Sequence, residues 1–327
     1  MKFTLVTTCY NEIDSVNNWK NDVSRQTRQP DEIVIVDACS TDGTLEVLKE
    51  WAKTDRRVKL IEKKSKPAAG RNLAIENAEN QYIVSTDMGC RLDEKWFEKL
   101  SEPFEKNSEI DVAAGNYKVL ENSLMSPVAW ADYYINDRYN IVLENNFLPS
   151  NRSVAYKKSV WIELGKYPED LTFAGDDAVF GLQLYKAGYR FFYAKDAVCY
   201  WNRHTALKDF WKEQFRYGLA NGEANILPQR FCKYYKSKLY MPAVYFHAVK
   251  RALLNSSSAI KMAVKDNRMM PALYIPFLVY GNYRNYYYGY RKGLFNGEVK
   301  CQDCRKRLEP NGEKTKVFQL SEPVEKQ

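Results

Sequence analysis

Short apolar runs alternate with amphipathic stretches at the start of the chain. FTLVTT (3–8), EIVIVD (32–37), VKLIEK (58–63) and QYIVSTD (81–87) are short and mostly rich in β-branched residues, and each predicts a strand. Between them lie a helical stretch reaching Gln26, a capped amphipathic segment TDGTLEVLKEWAK starting near Thr41, and AAGRNLAIENAE (68–79). Strands separated by helices of about 10–15 residues predict a parallel sheet covered on both faces. Right-handed crossovers bring the strand C-terminal ends to one edge, where open α/β sheets bind ligands.

After Asp87 the alternation loosens. The pattern predicts a helix over DEKWFEKLSEPFEKN, a strand over DVAAGNYKV, an aromatic helix over 127–146 and a strand near 152–157. A helix from Asp176 to Ala187 and a strand from Arg190 to Tyr200 follow, so this half of the sheet is expected to be mixed. From Leu207 onward the chain reads as helical and basic. The expected organisation is a catalytic core over 1–222, a helical, basic and aromatic extension over 223–300, and a polar tail over 301–327.

Composition changes this picture in three ways. Hydrophobic residues at 45% and charged residues at 28% are enough to fill a core, which excludes the disordered and collagen-like classes. Residues 205–327 carry 22 Lys and Arg against 10 Asp and Glu, while the preceding part carries 27 against 31. A basic, aromatic C-terminal part behind a mildly acidic core points to phosphates, of lipid headgroups or of nucleic acid. The seven cysteines (Cys9, Cys39, Cys90, Cys199, Cys232, Cys301, Cys304) show no framework spacing, and MKFTLVTTCYNE leads into a strand without an apolar signal segment. Both features predict a reducing cytoplasm. Cys301 and Cys304 form half of a zinc-site spacing, with no second pair nearby.

The chemistry gathers where strands end. Asp37 closes the second strand, Asp87 closes the fourth, and Asp176 and Asp177 open a helix. Carboxylates are unfavourable to bury without partners, and three such groups on one sheet edge suit a divalent cation and a polar ligand. Taken singly, each acid also reads as a helix cap or turn residue, Asp42 and Asp176 most of all.

The segments TLVTTCYNE, VDACSTDGT, AAGRNLAI, VSTDMGCRLDEKW, SNRSVAYKK and FAGDDAVFGLQLYKAGYRFFY resemble, in order and wording, family 2 glycosyltransferases of the GT-A fold over about residues 3–222. The resemblance implies an α/β fold with a mixed, mostly parallel sheet sandwiched by helices. It implies that Thr8, Tyr10 and Glu12 line the donor nucleotide, that Asp37 bonds the base, and that Arg71 lies near the diphosphate. Asp87 matches the first acid of the family's metal motif, whose last acid is here Gly89; His204 falls where similar members carry a metal-binding histidine. The implied cofactor is Mg²⁺ or Mn²⁺. Asp177 matches the family's catalytic base and Asp176 stands where Glu is usual. QFRYG (214–218) is similar to a shortened form of a motif of processive members, which implies contacts of Gln214 and Arg216 with acceptor or diphosphate.

The expected function is therefore inverting transfer of a sugar from a nucleotide diphosphate donor, with uridine the expected base, to a saccharide or lipid-linked acceptor. The longest apolar run, MPALYIPFLVYGNY (270–283), falls short of the roughly 18–20 residues that span a bilayer. Residues 231–295 mix Tyr with Lys and Arg, which suits a helix at headgroup depth, so a peripheral position at the inner membrane face is expected, with no nucleic acid. The alternatives are a nucleotide-sugar-binding relative without catalysis and a basic nucleic-acid-binding protein, which salt-dependent RNA or DNA affinity would reveal. The missing G-x-G-x-x-G after the first strand disfavours a dinucleotide oxidoreductase.

Overall fold

A computed structural model describes residues 1–136, 148–172, 174–226 and 235–300. Eight strands form one sheet: β1 (Phe3–Cys9), β2 (Glu32–Asp37), β3 (Val58–Glu62), β4 (Tyr82–Ser85), β5 (Cys90–Leu92), β6 (Val112–Val119), β7 (Val154–Lys157) and β8 (Phe191–Trp201). Their order is β3-β2-β1-β4-β7-β6-β8-β5. The first four pair in parallel. β7 runs antiparallel to both β4 and β6, and β5 runs antiparallel to β8, which makes the sheet mixed as expected.

The continuous apolar runs follow from burial on both faces. In β2, Ile33 and Ile35 join a core with Trp19 and Val23 of α1 (Ile13–Ser24), Leu48 and Trp51 of α2 (Thr44–Thr54), and Trp96 and Phe97 of α4 (Trp96–Lys106). Val34 and Val36 face the other way, toward Ala74 and Ile75 of α3 (Pro67–Glu76), Trp161 of α6 (Lys158–Glu163), and Phe180 and Leu184 of α7 (Asp176–Ala187). Each side chain alternates face as a strand requires.

Three local features depart from the sequence pattern. α2 begins at Thr44 rather than near Thr41, because Asp42 accepts the Thr44 and Ile13 amides at 3.0 Å and holds a turn before the helix. β5 and α6 were not expected, being too short to show a period. The aromatic helix predicted over 127–146 is α5 (Pro127–Ile135), with Ser126 accepting the Ala129 amide at its start; residues 137–147 lie outside the described residues. Cys232, Cys301 and Cys304 lie outside them as well.

Beyond β8 come α8 (Leu207–Glu223), α9 (Tyr240–Lys265) and α10 (Met269–Lys300). α8 and α10 touch backbone to backbone. A Cβ on Gly218 would collide with the Tyr286 carbonyl, and one on Gly222 with that of Tyr290. Added carbons on Gly289 and Gly293 would meet the Phe215 and Leu219 carbonyls in return. Small residues four apart on both helices permit this approach. Among the described residues, no helix is long and apolar enough to cross a membrane.

Overpacking this seam is expected to be destabilising. Gly222→Val should lower the melting temperature by roughly 5 °C or more, read by circular dichroism, because neither backbone can yield to a branched side chain.

Candidate active site

The C-terminal ends of β1, β2 and β4 present the predicted residues on one edge. The loops after β1 and β2 are tied together: Asn11 accepts the Thr41 amide through its side chain at 2.9 Å and donates its own amide to Ser40 Oγ at 2.9 Å. Asn11 and Cys39 adopt left-handed backbone (φ 56° and 65°), which turns both loops sharply at the sheet edge. Thr8 is half-buried and Tyr10 is exposed.

Asp37 is fully buried. Its Oδ1 accepts the Ser40 amide at 2.7 Å, and its Oδ2 accepts the Ser40 hydroxyl at 2.6 Å and the Cys9 thiol at 3.4 Å. Burial, and then the Asp37 charge, push the Cys9 thiol up, so it remains a donor. Asp37 thus shapes the loop from within and offers no exposed oxygen of its own.

Asp87, Arg71 and Asp176 form the centre. Arg71, on α3, donates Nη2 to Asp87 Oδ1 at 2.8 Å and Nη1 to Asp176 Oδ2 at 2.7 Å. Burial disfavours the Asp87 charge, but the Arg71 and Arg152 guanidiniums outweigh it and hold the carboxyl below the usual range. α7 starts after Gly175, in left-handed conformation at φ 86°, which sets Asp176 and Asp177 in the first turn where the helix dipole favours negative charge. Asp177 takes the Ala178 amide on Oδ1 at 2.9 Å and the Ser150 hydroxyl on Oδ2 at 3.3 Å. Burial and the adjacent Asp176 charge raise its pKa.

Gly89 leaves a gap that Glu12 faces: a Cβ there would stand 3.6 Å from Glu12 Oε2. Burial raises the Glu12 pKa, and the nearby Asp87 charge adds to the shift. His204 is directed elsewhere, its Nε2 lying 3.7 Å from Glu213 Oε1 on α8 and its ring edge-on to Phe210. Burial opposes the Glu213 charge, yet His204 and Arg203 pull its pKa down to about 2. Among the described residues, no three His, Cys, Asp or Glu side chains are grouped to hold a metal. Gln214 is half-buried and Arg216 exposed on α8. A cavity of about 390 Å³, lined by Asp14, Asn18, Gly89, Arg91 and Met125 among others, borders the site at Gly89, and its lining includes neither Asp176 nor Asp177.

The chain matches the glycosyl transferase family 2 pattern over residues 4–165, which spans β1 to α6 and contains Asp37, Arg71 and Asp87. Residues 4–165 belong to glycosyl transferase family 2. A relative of this family 2 region, TuaG of Bacillus subtilis strain 168, a glycosyltransferase named for teichuronic acid biosynthesis, is 35% identical over 95 residues. That match covers 28% of this chain and about a third (36%) of the relative's length. The fold is GT-A: TarS 1–349 of S. aureus, crystallised with UDP, superposes with a TM-score of 0.52 at 17% identity, covering 90% of this chain and 92% of that one. The mannosyltransferase PcManGT of Pyrobaculum calidifontis, in complex with GDP-Man and Mn²⁺, gives 0.53 at 18% identity, covering 91% and 86%.

Sequence reasoning missed the residues just before β7. Asn151 donates to Asp176 Oδ2 at 3.1 Å, and Ser150 and Arg152 flank it. The signal was present in SNRS, a polar run that leads into a buried strand. Glu223 was also missed: it accepts the Thr172 amide at 2.9 Å and its hydroxyl, tying the loop before α7 to α8.

The Arg71 bridge generates a stability prediction. Arg71→Leu should destabilise the protein at pH 7 by on the order of 3 kcal/mol, since it leaves two carboxylates facing each other without a counter-charge. Asp87 is held below its ordinary pKa, so its contribution is complete above that ordinary value and fades as pH falls through the depressed one. Urea unfolding at pH 7 and near pH 3 should show the gap between variant and wild type narrowing in acid.

Proposed function

We propose that the protein is an inverting glycosyltransferase that moves a sugar from a nucleoside diphosphate donor to a hydroxyl of a saccharide or lipid-linked acceptor. The observation that carries this reading is Asp177, a carboxylate of raised pKa beside the Arg71-bridged pair Asp87 and Asp176. A raised pKa makes a carboxylate a better proton acceptor near neutrality. Asp177 takes the acceptor hydroxyl's proton as that oxygen bonds to the anomeric carbon. The bond from that carbon to the diphosphate oxygen breaks, and the nucleoside diphosphate leaves with the electron pair. Attack from the face opposite the leaving group inverts the anomeric centre.

Thr8, Tyr10 and the Asp37-braced loop form the wall against which the nucleoside would lie. UDP in the TarS complex supports uridine, and GDP-Man in the Pyrobaculum enzyme makes guanine the base to test against it. The oxygen donors of Asp87 and Glu12, which faces the space above Gly89, fit a divalent cation completed by diphosphate oxygens. Such an ion, Mg²⁺ or Mn²⁺, would supply positive charge toward the departing diphosphate. His204, paired with Glu213, has the weaker claim as a ligand.

The C-terminal helices support a position on a membrane surface, at the cytoplasmic face where free thiols stay reduced. Phe246 and Leu253 are about three-quarters exposed (74% and 76%) on α9, with Lys250 exposed between them. Leu273 and Phe277 are exposed in the same way on α10. Apolar side chains flanked by cations suit an anionic lipid surface. TuaG's name places it in teichuronic acid biosynthesis, which favours a polysaccharide acceptor for this chain also.

Thermal-shift titration with UDP- and GDP-sugars, with and without Mn²⁺, tests base and metal together; no shift with any of them defeats the proposal. Asp177→Asn is expected to retain donor affinity while turnover falls by about a hundredfold or more, and undiminished turnover would remove Asp177 from its role. The Phe246→Ser, Leu253→Ser double variant should float far less with anionic vesicles than wild type; equal flotation, or none in wild type, counts against a membrane surface.

A further inference from the structure

Arg71 is an incomplete answer to the diphosphate. Both of its terminal nitrogens are engaged by carboxylates, at 2.7 and 2.8 Å, so its charge is already balanced within the protein. Arg152 differs. Its guanidinium lies over the Trp201 ring at 4.1 Å and near Tyr117 at 5.7 Å. It donates Nη1 to Ser150 Oγ at 3.4 Å, long enough to be weak, and also meets the neutral Tyr217 hydroxyl. Among the described residues, no carboxylate forms an ion pair with it.

A second arginine on the same indole shows the contrast. Arg203 also lies over Trp201, at 4.5 Å, but it donates to Asp132 at 2.9 Å and to Glu213 at 3.2 Å. One guanidinium beside Trp201 is paired with two acids; the other, among the described residues, has none within ion-pair distance and feels Asp87 and Asp177 only from farther off. An arginine withdrawn from water without an acid partner is unfavourable unless an anion completes it. Arg152 is also joined to the proposed base by one hydroxyl, since Ser150 Oγ accepts from Arg152 and donates to Asp177 Oδ2 at 3.3 Å. The aromatic faces hold the guanidinium plane, so its N–H groups need little ordering when an anion arrives.

We propose that Arg152 is the guanidinium that binds the donor diphosphate and holds the departing nucleoside diphosphate, while Arg71 serves to position Asp87 and Asp176. This rests on the sugar-nucleotide reading above. A planar fork of N–H donors matches phosphate oxygens, and the negative charge it meets grows as the anomeric C–O bond breaks. Lysine keeps the charge but loses both the fork and the stacking on Trp201.

Titration calorimetry of UDP, GDP and the parent nucleosides, on wild type, Arg152→Gln and Arg152→Lys, tests this with and without Mn²⁺. For whichever nucleotide wild type binds, Arg152→Gln should weaken the diphosphate by roughly tenfold or more and leave the nucleoside within about twofold. Arg152→Lys should fall between. The ligand-free melting temperature of the Gln variant should stay close to wild type, because no ion pair among the described residues is lost. Unchanged diphosphate affinity in folded Arg152→Gln overturns the proposal, as does a lowered melting temperature with both ligands weakened equally. Should the Gln variant not fold, unchanged diphosphate affinity in Arg152→Lys overturns it instead. Wild type that binds neither diphosphate overturns the sugar-nucleotide reading itself.

Discussion

One cation between two acids organises this sheet edge. Asp87 ends the run after β4, Asp176 starts α7, and the two are brought together by Arg71 reaching from α3. Like charges at this separation would repel strongly away from water, so the guanidinium is what lets the strand end and the helix start share a site. The arrangement also fixes Asp177. With Asp176 anchored to Arg71 and Asn151, the next residue on the first turn projects toward Ser150 and, among the described residues, forms no direct ion pair. Burial, and then the Asp176 charge beside it, raise the pKa of that second carboxyl.

Support for that edge comes from further along the chain than the matched family region reaches. Glu223 on α8 clasps Thr172 in the loop that leads to Asp176, and Asn296 on α10 bonds the same carboxylate at 3.1 Å. The glycine seam between α8 and α10 lets those two side chains meet, with Glu223 alone reaching the loop. Arg203, buried between Asp132 and Glu213, ties the end of β8 to α5 and α8. The C-terminal helices therefore brace the acids from behind while turning an apolar, cationic face outward.

Much of the fold was legible in the pattern of the chain. EIVIVD is apolar at every position but its ends, and it forms a strand buried on both faces. Asp87 and Asp176 were visible as acids at element boundaries, and the structure brings them onto one cation. Asp37 was visible for the same reason, yet its carboxylate turns inward to Ser40 and Cys9, a choice made by loop geometry that no spacing encodes. The three-residue β5 carried no periodic signal, since antiparallel pairing with β8 rather than local preference makes it a strand.

By itself the sequence determined the alternation of strands and helices, the faces they bury, and the residue types gathered at the strand ends, because periodicity and turn chemistry are local. It also held both glycine pairs, Gly218 with Gly222 and Gly289 with Gly293, without saying that they meet. Only the tertiary structure decided which acid meets Arg71, and which of two arginines on Trp201 has carboxylates within ion-pair distance among the described residues. Those properties depend on distances between segments far apart in the chain, and the energy of a charge removed from water is set by what stands a few ångströms away rather than by its neighbours in sequence.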